Sequence, residues 1–99
     1  MAERVVLTRD LMDGGRFRAA VPDVVIVRSV GDPELEDATF VLLDLGTGID
    51  PSAVVAPGRS VVAYGAHVDE AALAAAIEAG CADALPRSKV FRRASELLG

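Results

Sequence analysis

The segment Phe40-Val41-Leu42-Leu43-Asp44-Leu45 constrains the fold of this chain more than any other. It is short, almost wholly apolar, and followed at once by Gly46-Thr47-Gly48. A run of this kind reads as a strand buried on both faces, as found in parallel α/β sheets. In open parallel sheets, ligands and chemistry collect at the carboxyl ends of strands. Asp44, with glycines beside it that let other backbone approach, is therefore a candidate site.

Four further apolar runs accompany it: Val5-Val6-Leu7, Val24-Val25-Ile26-Val27, Val61-Val62-Ala63-Tyr64 and a weaker Ala82 to Leu85. Helix-like or turn-like pieces separate them, which predicts alternating β and α elements. The clearest helix follows the fourth run. Asp69 caps it, Glu70 lies in its first turn, Ala71 to Ala79 is rich in helix formers, and Gly80 ends it. Leu73 and Ile77 share one of its faces. A last helix is expected from Ser88, with Val90, Phe91, Ala94, Leu97 and Leu98 turned inward. A first helix is expected over about Leu11 to Val21, with Phe17, Ala20 and Val21 as its apolar side. Gly14 and Gly15 weaken it by about 1 kcal/mol each. The middle connections are thin. Asp32-Pro33-Glu34-Leu35-Glu36 has room for a turn or two, and Asp50-Pro51 through Pro57-Gly58 for one short helix at most. The expected architecture is α/β, a small doubly wound, five-stranded parallel sheet of flavodoxin-like order 2-1-3-4-5 with shortened middle helices.

At 99 residues, 1–99 forms one domain. Hydrophobic residues at 52%, mostly Ala and Val, with 25% charged, mark a globular chain. A net charge of −5 and a pI near 4.7 argue against general affinity for nucleic acid or anionic membrane. No apolar run approaches the roughly 18–20 residues of a membrane span. No basic-then-apolar leader opens the chain, so the expected location is cytoplasmic. Cys81 stands alone and is read as a small buried side chain, incapable of an intramolecular disulfide. One His and one Cys provide neither a zinc site nor a Cys-His dyad. Glycine-rich phosphate loops, the dinucleotide fingerprint and a serine elbow are absent from the sequence, and the protein is not expected to be an enzyme.

In a sheet of order 2-1-3-4-5, strands one and three are neighbours where the winding reverses. The first ends near Thr8-Arg9-Asp10 and the third at Asp44, so Asp10 and Asp44 are expected to meet at one crevice. Asp10 also suits a helix cap, and Asp44 a turn-fixing role. With these features goes a resemblance. The order of elements, an acid after the first strand, Val41-Leu42-Leu43-Asp44-Leu45, and Gly80-Cys81-Ala82-Asp83-Ala84-Leu85-Pro86-Arg87 resemble the receiver domain of bacterial response regulators.

The resemblance implies a site of five groups. Two acids after strand one and a phosphoacceptor Asp after strand three hold Mg²⁺. A Thr or Ser after strand four and a Lys after strand five contact the phosphoryl oxygens. Asp44 falls on the phosphoacceptor and Asp10 on one paired acid, while Arg9 holds the place of the other. Gly65 stands where the hydroxyl belongs, Arg87 where the Lys belongs, and Ser88 where a Pro is usual. These departures imply weak Mg²⁺ binding and slow or absent phosphorylation, with Arg9 or Arg87 pairing with Asp44 instead.

His67, just before the Asp69 cap, is a candidate anion contact or pH-sensitive group, or a loop residue without a role. Tyr64 is either a core residue with its hydroxyl at solvent or part of an interaction face. Arg87, Lys89, Arg92 and Arg93 form a basic cluster, either a solvated helix face or the docking surface the resemblance implies. The expected function is a stand-alone, atypical receiver-like module that binds a protein partner or a second copy of itself. The alternatives are a Mg²⁺-dependent phosphoacceptor at Asp44 and a small-anion binder using Arg9, Gly65, His67 and Arg87.

Overall fold

The computed structural model describes residues 3–99, and it forms a single five-stranded sheet. The strands are β1 (Arg4–Leu7), β2 (Val25–Val27), β3 (Phe40–Asp44), β4 (Ser60–Gly65) and β5 (Asp83–Pro86). Their order is β2-β1-β3-β4-β5, and every pairing is parallel. The helices are α1 (Leu11–Ala20), α2 (Pro33–Glu36), α3 (Glu70–Glu78), α4 (Arg87–Arg92) and α5 (Ala94–Leu98). Two 3₁₀ turns, Leu45–Thr47 and Pro51–Ala53, complete the chain. Among the described residues, no helix is long and apolar enough to cross a membrane.

The unbroken apolar runs follow from this architecture. Side chains alternate between the faces of a strand, and here both faces are covered. Val5, Leu7, Val41, Leu43, Val61 and Ala63 pack on one side with Leu35, Val54, Ala76 and Cys81. Val6, Leu42, Val62 and Tyr64 pack on the other with Phe17, Val90, Ala94 and Leu98. Thus α2 and α3 cover one face, and α1, α4 and α5 the other. Burial pushes the Cys81 thiol above its ordinary pKa.

Three helical expectations need correction. The C-terminal helix begins at Arg87 and breaks at Arg93, whose φ of −106° and ψ of 10° leave helical geometry, so it is two short helices. Val90, Ala94 and Leu98 are still buried, with Phe91 and Leu97 half-buried at the edge. On α1, Ala20 is exposed, and the inward residues are Asp13, Gly14 and Phe17. On α3, Ala76 is the buried residue, while Ile77 is 51% exposed.

The abbreviated middle segments leave carbonyl groups that longer helices would satisfy. Arg59 takes them up: its Nε donates to Ala38 O (3.0 Å), Nη1 to Val54 O (2.8 Å) and Nη2 to Leu35 O (2.7 Å). A single side chain thereby joins α2, the connection leading into β3 and the residue after the second 3₁₀ turn. Gly80 ends α3 at a φ of +112°, and a Cβ there would lie 3.1 Å from Val55 Cγ1. The positive φ favours glycine, and the close Val55 side chain adds to the preference.

Candidate functional site

Asp44 ends β3 in a buried position. Its Oδ1 accepts from Gly46 N (2.8 Å), and its Oδ2 accepts from the Thr8 hydroxyl (2.7 Å) at the end of β1. The Thr47 hydroxyl donates to the Asp44 carbonyl (2.9 Å) and accepts from Ile49 N (3.1 Å), tightening the turn. A Cβ at Gly46 would stand 3.0 Å from Asp44 Oδ1, so the glycine lets the backbone amide reach the carboxylate. Asp44 therefore fixes its turn while its carboxylate faces the neighbouring strand end.

Asp10 caps α1, its Oδ1 accepting from Met12 N (2.9 Å) and Asp13 N (3.1 Å). It also meets Asp44 across an open cleft of about 300 Å³ at the carboxyl edge of the sheet, lined by Arg9, Asp10, Asp44, Gly46, Thr47 and Arg87. The expected convergence of the two acids is present. The expected partner of Asp44 is not. Arg9 donates through Nε to the Arg28 carbonyl (2.9 Å), and Arg87 turns to Asp13.

Asp13 is 1% exposed. It accepts a two-pronged contact from Arg87, Nη1 to Oδ2 at 2.6 Å and Nη2 to Oδ1, and a third bond from the Tyr64 hydroxyl (2.9 Å). The bidentate geometry suits a guanidinium and would not suit a lysine. Its hydrogen bonds with Asp13 raise the Arg87 pKa above the ordinary value; Asp44 adds to the rise through space. Tyr64 is fully buried, 5.8 Å from Phe17 and 6.1 Å from Phe91 between ring centres. Burial pushes its phenol far up. The adjacent Thr8 hydroxyl opposes this rise, and Asp44 and Asp13 reinforce it. Tyr64 therefore belongs to no exposed face, and its hydroxyl meets a carboxylate, not water. The Arg16 guanidinium lies 3.7 Å from the centre of the Phe91 ring and closes the aromatic cluster from outside.

No protein-family model matches the chain, and no curated protein matches its sequence. Solved structures do match its shape. A response regulator from Thermotoga maritima superposes with a TM-score of 0.66 at 14% identity, covering 99% of this chain and 98% of its own. A CheY-like protein (tadZ) from Pseudomonas aeruginosa PAO1 superposes at 0.65 and 20% identity, covering 100% and 97%. The chain has the receiver fold.

On the receiver fold, the remaining expected contacts separate. Gly65 does not line the acidic cleft. It borders a smaller neighbouring pocket of about 170 Å³ with Leu45, Gly46, Ala66, Asp69, Ala72 and Leu73. His67 is exposed and lines neither pocket. In the basic cluster, Lys89 and Arg92 are exposed, Arg93 pairs with Glu96 (3.2 Å), and Arg87 is tied inward.

The Mg²⁺ implied for a receiver site fits these residues poorly. A hard cation needs several free oxygen ligands. Here the two cleft carboxylates already accept protein hydrogen bonds and share their cleft with two guanidiniums. Among the described residues, no group of three or more His, Cys, Asp or Glu side chains is placed to hold a metal.

Asp13 and Thr8 were not anticipated. One signal for Asp13 was present: it precedes Phe17 by four residues and shares its face, so the apolar side of α1 carries a carboxylate. The glycine pair between them obscured that register. Thr8 carries no comparable signal, since a threonine after a strand is commonplace.

Proposed function

We propose that this protein is a receiver-fold interaction module that works without phosphorylation of Asp44. The observation supporting this reading is the bidentate Arg87–Asp13 pair. Phosphoryl transfer needs cationic groups free to neutralise the equatorial oxygens. The Arg87 guanidinium, at the place of the receiver lysine, is engaged with a different acid. Asp44 is meanwhile satisfied by Thr8 and Gly46, and the metal that would complete the chemistry lacks a fitting donor set.

The partner is a protein or a second copy of this chain. Three large apolar side chains stand almost bare near the carboxyl edge of the sheet: Leu11 at 81% exposed, Met12 at 80% and Val68 at 77%. Leu11 and Met12 open α1 beside the cleft, and Val68 precedes the α3 cap. Exposed apolar side chains near a functional edge suit protein contact. Lys89 and Arg92 offer a second, basic surface. The acidic net charge disfavours nucleic acid as the partner.

A second reading is a phosphoacceptor using Asp44, favoured by the open cleft into which Asp10, Asp44 and Thr47 face. One experiment separates the two. Intact mass is measured after incubation with Mg²⁺ and acetyl phosphate, beside Asp44→Asn. No mass gain in folded protein is the expected result. A phosphate-sized gain lost in Asp44→Asn would establish the second reading and remove the first.

A further inference from the structure

Arg87 belongs to two environments at once. Its guanidinium grips the buried Asp13 carboxylate, yet its side chain is 38% exposed and lines the cleft that holds Asp44. The other cleft cation, Arg9, bonds only through Nε, and its two Nη groups have no hydrogen-bond partner among the described residues. The cleft thus contains two guanidiniums, of which one is engaged from behind by an acid that water does not reach.

We propose that Asp13 is an internal competitor that keeps a latent oxyanion site, built from Arg9 and Arg87, from forming in the cleft. The inference deepens, and rests on, the reading of Asp44 as unphosphorylated. An anion that takes the two-pronged Nη face of Arg87, the geometry that binds an oxyanion most tightly, has to draw it from Asp13. That would leave a carboxylate, 1% exposed, with the Tyr64 hydroxyl as its remaining donor. An uncompensated buried charge is more costly than a hydrated one, and a solvated anion offers Arg87 little that Asp13 does not. The internal pair therefore wins, and the cleft stays indifferent to phosphate and carboxylate groups. Weakening the Asp13 carboxylate hands Arg87 to the cleft.

The test is an NMR titration with inorganic phosphate at constant ionic strength, following the Arg87 Nε–Hε resonance. In the wild type that resonance stays unmoved. Asp13→Asn keeps an acceptor for Tyr64 but loses the charge, and it binds phosphate about tenfold more tightly, the gain expected from one freed charge-assisted donor set. Asp13→Asn/Arg87→Gln has the wild-type net charge and loses that gain. Asp10→Asn removes an equal charge from the cleft itself without freeing Arg87, and gains much less.

A wild-type resonance that follows phosphate overturns the proposal. So does a folded Asp13→Asn with no gain, or an Asp10→Asn with the same gain. Should Asp13→Asn not fold, Asp13→Ser, which also keeps an acceptor for Tyr64 and loses the charge, is titrated in its place with the same gain expected. The intact-mass result is separate: phosphorylation of the wild type would remove the proposed function whatever the titration shows, and a failed titration leaves the mass result standing.

Discussion

Tyr64 hydrogen-bonds to a carboxylate 51 positions earlier in the chain, and burial there raises its phenol pKa. The consequence is a pH dependence of known sign. Below the ordinary tyrosine value of 10.0, both folded and unfolded chains hold the proton, and the stabilising contribution is complete. Above it, the unfolded chain loses the proton first, so stability falls by about 1.4 kcal/mol per pH unit. The chain has one tyrosine, so Tyr64→Phe removes this loss entirely. At neutral pH the variant is less stable by about 1 kcal/mol, having lost one buried hydrogen bond. Above pH 10 the gap between wild type and variant closes, as urea unfolding at a series of pH values would measure. A gap that stays constant would mean that the hydroxyl is not held as described.

At the scale of elements, the middle of the chain is held by one side chain more than by helices. α2 is a single turn, and the segment after β3 contains only 3₁₀ geometry. Both start from side-chain caps, Asp32 to Glu34 N (3.0 Å) and Asp50 to Ser52 N (2.9 Å). Their far ends depend on Arg59. Arg59→Ala strands the Ala38 and Val54 carbonyls at partly buried positions, leaves Leu35 O with its backbone donor alone, and costs about 2–3 kcal/mol, read from the thermal midpoint. Hydrogen exchange would locate the loss, with α2 and the Pro51–Ala53 turn opening before β1 or β3. Arg59→Lys recovers little, because one ammonium cannot span three carbonyls in the same fixed fork.

For the whole molecule, the sheet is a partition between two cores. Val5 and Val6 are adjacent in sequence and both fully buried, but they belong to different clusters. Val5→Ala and Val6→Ala each cost about 1–3 kcal/mol through lost apolar contact and the cavity left behind. Adjacent substitutions usually couple; these are expected to add to within about 0.5 kcal/mol, since the two side chains share no packing partner. A double-variant cycle by denaturant unfolding tests this. Strong coupling would show that the two layers communicate through the strand backbone.

Much of the architecture was legible from residues near one another in sequence. Five apolar runs, caps at Asp10 and Asp69, and Gly80 as terminator are short-range signals, and they placed the strands, the winding and the meeting of Asp10 with Asp44. Local pattern did not show the break at Arg93, since Val90, Ala94 and Leu98 satisfy one continuous helix as well as two short ones. Nor did it assign the partners of the charged groups. Arg87 lies 74 residues from Asp13, and either Asp13 or Asp44 was open to it by charge alone. The choice is made by packing. Phe17 turns the inner face of α1 onto the sheet, which buries Asp13 beside Tyr64, where a carboxylate without a cation would be too costly to keep. The sequence by itself determined where strands and helices form, because those preferences arise within a few residues. The tertiary structure decided which acid holds Arg87, because desolvation exists only once the layers have closed.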